Sequence, residues 1–378
     1  MVSDLCTRRS ALKGIGAIAT VSLAGCTEDG GNGGNGGGNG GNGGNGNGGT
    51  VGDTDGDTIT LAWADHFPSG DFISLDLTSR YVMDQIEEES GGEVQFEYYP
   101  GGELGGADET MELIRQGAID IGHVVPQYYS DRLEFTQLGV LPGLAPSGVV
   151  GGQAMHDLLM PHREGQIFEA EWEELGLRPL LTAESDSYEI ATVDDPIETL
   201  EDLEGMNMRS GGGIADNTVS ALGASPVAMD AAEIYQSLER GTIDGDFNAA
   251  HLWEVFTIYE IINYCTFGAP LNATTLVEAI SLDTWEGLPD HVQELFIEQS
   301  DQNPIRYGEE MFEYLSDIVD EFESEHGIEV NYMEDDEIER WEEVLQAEAV
   351  DPWVEGTSDP ETGQELLDAY TDGIEEYR

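Results

Sequence analysis

The sequence predicts an α/β protein of two lobes, and three observations carry that prediction. Strand-like apolar runs alternate with helical ones from Thr58 to Asn248 in two successive series. Glycines and Pro-Gly steps close these runs at regular points, as helix C-caps and turns do. The length, 378 residues, suits two domains.

The elements follow in order. Thr58–Ala64 alternates and is rich in β-formers, so it reads as a strand. Asp76–Ser90 has helical spacing and ends at Gly91-Gly92; Glu93–Tyr99 is a strand stopped by Pro100-Gly101. Asp108–Gln116 is a helix closed by Gly117, and Ala118–Val125 is a buried strand. This β-α-β-α-β order calls for a largely parallel sheet. Helical spacing covers Gly151–Leu175, and Leu177–Glu184 is a strand. The second series runs through a short helix at Thr199–Glu204 and a strand at Met206–Arg209. A helix at Asn217–Leu222, a strand at Ala224–Ala228, a helix at Ala231–Arg240 and a strand at Ile243–Asn248 follow. Thr274–Leu282 is one more strand, Pro289–Glu325 a long acidic helix, and helices near 337–349 and 363–377 finish the chain. Two α/β lobes joined by several crossings enclose a cleft, the usual seat of a small ligand.

Composition narrows the function. The chain carries 78 acids against 13 bases, a formal charge of −65. A basic nucleic-acid groove and a basic membrane-binding patch are excluded, because phosphates would meet a strongly negative field. Lys13 is the only lysine; without residues 1–25 there remain 77 acids and 10 arginines, a net of −67. Such a charge self-repels in dilute buffer and is screened at molar salt, where the Debye length is about 3 Å. The composition resembles that of exported proteins of extreme halophiles.

The N-terminus reads as an address. Arg8-Arg9, an apolar run from Gly14 to Ala24 and Leu23-Ala24-Gly25-Cys26 stand in the order of a twin-arginine signal (residues 1–25) with a lipoprotein box, Cys26 being the lipidated residue. Gly and Asn alone fill Gly30–Gly49, so 26–57 reads as a flexible tether holding the body at the outer face of the cell membrane. Asp53, Asp55 and Asp57 imitate a calcium loop, but Ala64 occupies the position of its bidentate acid.

Catalytic and cofactor signatures are weak. With Cys6 and Cys26 in the leader and anchor, Cys265 is left alone, so the body has no disulfide. CxxC, HExxH and GxSxG are lacking, and the seven histidines are scattered, which offers no zinc motif. The expectation is a protein without cofactor, metal or enzymatic activity.

Longer motifs carry a family likeness. Tyr99-Pro100-Gly101-Gly102-Glu103-Leu104-Gly105-Gly106, followed by Glu112–Gly122 (ELIRQGAIDIG), resembles the first lobe of DctP-type solute-binding proteins, the receptors of tripartite ATP-independent periplasmic (TRAP) transporters. Asp202–Arg209 (DLEGMNMR), Ala221–Val227 (ALGASPV) and Glu233–Gly245 (EIYQSLERGTIDG) resemble its second lobe, and Trp285 with Leu288-Pro289 a later signature. The resemblance implies a two-lobe, periplasmic-binding-protein-like fold (type II-like), with hinge strands and a long helix linking the lobes. Lobe 1 is expected from 58–185 plus about 275–312, and lobe 2 from 186–274 plus about 313–378 with the C-terminal helices.

It also implies a receptor that takes up a small organic acid and delivers it to TRAP permease subunits. Arg209, at a strand end, is the implied carboxylate anchor; a guanidinium fork matches a carboxylate with two parallel hydrogen bonds. Asn248 follows the Asp-Gly strand and is the second polar contact, or else an Asx-turn. Gln127, beside Val125 and Tyr128 in the loop after the third strand, His66 after the first strand, Tyr188 and Trp253 complete the candidates; for His66 and Trp253 a packing role is the competing reading. Where relatives carry a base in the stretch after Thr182, this chain reads Glu184-Ser185-Asp186-Ser187-Tyr188-Glu189, which speaks against a dicarboxylate or sialic-acid-like ligand. An ABC-type solute-binding lipoprotein is the alternative.

Overall fold

Eleven strands form two separate sheets in the computed structural model of the chain, which describes residues 58–67 and 76–378. They are β1 (Ile59–Ala64), β2 (Val94–Tyr99), β3 (Ile121–Val124), β4 (Leu177–Glu184), β5 (Glu189–Thr192), β6 (Asn207–Ser210), β7 (Ser225–Ala228), β8 (Gly245–Asn248), β9 (Tyr264–Phe267), β10 (Thr275–Ser281) and β11 (Glu329–Tyr332). The α-helices are α1 (Tyr81–Glu89), α2 (Thr110–Arg115), α3 (Gly148–Leu159), α4 (Ile214–Ala221), α5 (Ile234–Glu239), α6 (Ala250–Val255), α7 (Leu282–Gly287), α8 (Asp290–Glu321), α9 (Asp335–Leu345), α10 (Asp351–Gly356) and α11 (Pro360–Tyr377). The proposed signal, Cys26, the tether and Asp53, Asp55 and Asp57 lie outside the described residues. Among those described, no helix is long and apolar enough to cross a membrane.

The first sheet has the order β2-β1-β3-β10-β4 and the second β11-β9-β5-β8-β6-β7. Each is parallel except for one reversed strand, β10 in the first and β5 in the second. The reversed strands are those that arrive from the other lobe. β4 runs into β5 through 185–188, and β9 returns to β10 through 268–274.

The two crossings are laced together. Ser185 N–H donates to Thr274 O at 3.0 Å and Tyr188 N–H to Asn272 O at 2.6 Å. Ser187 Oγ bonds the carbonyls of Ala269 and Leu271, and Thr274 N–H donates to Ser185 Oγ. Backbone that leaves a sheet must find partners elsewhere, and here each crossing supplies the other's. Asn272, the start of an N-x-T sequon, is buried, and its Nδ2 donates to Val140 O at 2.7 Å, so the folded protein offers no room for a glycan.

Helix α8 is the third connection. It packs on α3 and β4 in the first lobe, and its distal end buries Ile318 among Trp253, Cys265 and Phe267 of the second. Pro304 sits in its interior and cannot donate to the preceding turn.

Three strands and three helices have no counterpart in the sequence analysis: β5, β9, β11, α6, α7 and α10. Each has only four to six residues, too few for a period to show. The helix expected over 151–175 breaks after Leu159, where Met160 is extended ahead of Pro161. The C-terminal helices divide between lobes rather than joining the second. Trp341 and Leu345 of α9 enter the second core, but Leu366, Leu367, Tyr370 and Ile374 of α11 pack with Ala154, Met155 and Leu158 of α3 in the first. An apolar stripe shows that a helix is covered, not by what.

Candidate functional site

Arg209 lies near the C-terminal end of β6, buried, with neighbours β7 and β8 on either side. Its Nε and Nη2 donate to Met229 O at 3.1 and 3.0 Å, and Nη1 reaches Phe247 O at 3.4 Å. Asp246 of β8 is its register partner, with Oδ1 3.8 Å from Nη1. These contacts fix the guanidinium plane. A guanidinium carries five N–H groups, so one hydrogen on each terminal nitrogen is left over, the arrangement that receives a carboxylate.

Two phenols lie within the field of Arg209. Tyr128 comes from the 3₁₀ turn Pro126–Tyr129 after β3, in the first lobe. Burial raises its hydroxyl above the ordinary range, Asp230 adds to this and Arg209 opposes it. Tyr188 comes from the crossing between the lobes; burial raises it, while Thr274 and Arg209 lower it. Its hydroxyl pairs with Thr274 Oγ1 at 2.6 Å. Arg209, Tyr188 and the exposed Tyr128 come from the second lobe, the crossing and the first lobe, near enough for the Arg209 charge to act on both hydroxyls.

Asn248 closes β8. Its Oδ1 accepts from Ala249 N–H at 3.0 Å, one residue on rather than the two of an Asx-turn, while Nδ2 is buried without a well-formed hydrogen bond. The amide also lies close enough to Asp246 to oppose the rise that burial imposes on that acid. Gln127 is half-buried in the turn after β3, with Oε1 enclosed and unpartnered. Trp253 is no pocket wall. It is fully buried against Phe267 and Phe322, and its Nε1 donates to Asp246 Oδ2 at 2.9 Å. The indole is the far side of the Arg209–Asp246 pair.

His66 falls in a different group. It follows β1 and stacks on Phe67, with its ring centre 5.3 Å from that of His123 on β3. Burial and the nearby His123 press its pKa down to about 3. His123 Nδ1 is 2.7 Å from Glu278 Oε1 on β10, directly across the register. Ser79 Oγ and Trp63 Nε1 complete the donors to Glu278, at 2.8 and 3.0 Å. Asp65, buried beside them, is raised to about 7 by desolvation against the pull of His123. Burial opposes charge on His123, but Glu278 and Asp65 outweigh it and lift the imidazole to about 9. Sequence reading passed over this cluster, although a lone ionisable residue in each of two apolar strands, His123 in IGHV and Glu278 in TLVEAIS, was a visible signal.

Comparison with known proteins places these features. The family of bacterial extracellular solute-binding proteins, family 7 (DctP), matches residues 72–351. The chain belongs to this family. The ectoine-binding periplasmic protein TeaA of Halomonas elongata is 27% identical over 78% of this chain and 84% of its own length. An uncharacterised Salmonella typhimurium protein, YiiZ, is 28% identical over 50% of the chain, which spans only 56% of that relative. A TRAP solute-binding protein from Rhodoferax ferrireducens, solved with copurified benzoate, superposes with a TM-score of 0.75 at 22% identity, covering 85% of this chain and 98% of the other. The two-lobe, periplasmic-binding-protein-like fold is therefore shared.

Proposed function

We propose that this DctP-family protein is an extracytoplasmic receptor that closes its two lobes on a small organic monocarboxylate and passes it to a TRAP-type permease without chemical turnover. The observation that carries this reading is Arg209: a buried guanidinium whose backbone contacts leave hydrogens for one carboxylate. Tyr128, Tyr188 and Gln127 lie around it or on the facing lobe, and Asn248 offers a buried amide. Among the described residues no second arginine joins the group, so a second carboxylate would go unmatched. The relatives support an acid or zwitterion, since benzoate occupies one and ectoine names another.

The same proposal covers the N-terminus: export by the twin-arginine route, lipidation at Cys26, tethering to the outer face of the membrane, and folding adapted to molar salt.

Thermal-shift screening of small acids in molar KCl tests the receptor reading. A ligand bound only by the folded state raises Tm. Monocarboxylates are expected to stabilise wild type but not Arg209→Ala; stabilisation by neutral solutes or peptides alone would favour the ABC-type reading instead.

A further inference from the structure

Three side chains just after β1 and in β3, Asp65 and His123 buried and His66 partly so, have ligand atoms that nothing described satisfies. Asp65 Oδ2, His123 Nε2 and both ring nitrogens of His66 are enclosed without a hydrogen-bond partner. Asp65 and His123 are 3% and 1% exposed, so solvent does not serve them. Enclosed polar atoms of this kind each cost stability unless something binds them.

We propose that Asp65, His66 and His123 form a site for one divalent transition-metal ion of the zinc type, with Glu278 orienting His123. The spacing fits. Two imidazoles on one tetrahedral ion, with metal–nitrogen bonds of about 2.0 Å, have ring centres roughly 5 Å apart; those of His66 and His123 are 5.3 Å apart. Asp65 Oδ1 stands 4.0 Å from His66 Nδ1, and ligand atoms of Asp65, His123 and Glu278 lie within 4.8 Å of one another. Ligands of a tetrahedral ion are about 3.3 Å apart, so Asp65 and His123 need only draw in, while His66, which lies outside that group, has to turn its ring toward them.

The outer contacts point the same way. With Nδ1–H of His123 given to Glu278, the enclosed and unpartnered Nε2 is the nitrogen left for an ion, as in the carboxylate–histidine–metal relay of known metal sites. Glu278 is itself fixed by Ser79 and Trp63. One carboxylate and two imidazoles, with the Glu278 carboxylate behind them, match the charge and softness of a borderline dication better than calcium or magnesium, which prefer all-oxygen cages. Three protein ligands leave a fourth position open.

A second histidine cluster does not qualify. His156 and His162 both bond Asp301 Oδ1, at 3.1 and 3.0 Å, and Arg163 already holds that oxygen at 3.0 Å. The guanidinium stands where a cation would.

The site goes beyond the receptor reading and is tested without an acid ligand. Full-length protein is stripped with chelator in molar KCl, given Zn²⁺ or Co²⁺, desalted, and assayed for bound metal and for the visible d–d bands of tetrahedral Co²⁺. One ion per chain and a raised Tm are expected for wild type and for His162→Gln. Asp65→Asn and His66→Gln are expected to lose at least tenfold in affinity, and Glu278→Gln about tenfold. The His66 ring makes no hydrogen bond among the described residues, so His66→Gln keeps the test interpretable should the other variants misfold; circular dichroism confirms its fold. Wild type without a stoichiometric ion, or an ion retained by His66→Gln and lost by His162→Gln, would overturn the proposal.

Discussion

Arg209 and Asp246 face each other across β6 and β8 at 3.8 Å, close enough to attract and too far to hydrogen-bond. Each makes its hydrogen bonds elsewhere: Arg209 donates to the Met229 and Phe247 carbonyls, and Asp246 accepts from Trp253. The guanidinium is thus held by a buried anion that does not occupy its fork.

This arrangement separates binding from stability. Arg209→Ala is expected to abolish acid binding and to cost on the order of 3 kcal/mol, because it strands Asp246 as a buried charge. Adding Asp246→Asn should recover most of the stability, since the amide oxygen still accepts from Trp253, and none of the binding. Chemical denaturation and calorimetric titration of the two variants measure this.

The hydroxyl of Tyr188 ties the crossing at Thr274 while lying in the field of Arg209. Tyr188→Phe should weaken acid binding about fivefold, the scale of one hydrogen bond near 1 kcal/mol. Thr274→Ala, which removes the tie and keeps the phenol, should have a smaller effect on affinity. Titration of both variants with the same acid distinguishes the ligand contact from the tie.

Glu184 gives stability a pH dependence. It is buried at the end of β4, accepting from Tyr370 at 2.9 Å and Thr275 at 3.3 Å, and desolvation raises it from 4.5 to about 8. A carboxyl raised in the folded state is protonated there while the unfolded chain has lost its proton. Its contribution is therefore complete below about pH 4.5 and lost as pH rises to about 8. Glu184→Gln should flatten that fall, worth a few kcal/mol, in urea melts at fixed salt.

Two glycines make room for the same acid. A Cβ on Gly139 or Gly151 would collide with Glu184 carboxylate oxygens. Gly151→Ala is expected to destabilise by about 1–3 kcal/mol, and Gly151→Ala in a Glu184→Ala background by much less. A double-mutant cycle in denaturant isolates the coupling.

Long periodic elements were legible in the sequence because burial writes a period there: β1, β4 and β10, α1 and α8 stand where apolar spacing put them. The short crossing partners β5 and β9 were not, since their pairing is decided by residues some 75 positions apart, such as Ala191 and Cys265. Arg209 and Asn248 were legible only through the family motifs around them, since a polar residue closing a strand is as readily a surface or turn residue. Asp246 was not, because it is one acid among 78 in the chain. For Trp253 the sequence leaves a wall and a core equally open, and the side chain fills a core. His66 was considered alone, although its meaning lies in His123, 57 residues on and one strand across.

The indole of Trp253 gives the protein an optical reporter of its own. Its N–H points at the acid that steadies Arg209, in a water-free setting where local charge shifts emission strongly. An acid seated on the guanidinium brings a second negative charge behind that pair. Occupancy of the cleft then registers as a change in colour from a residue the ligand never touches.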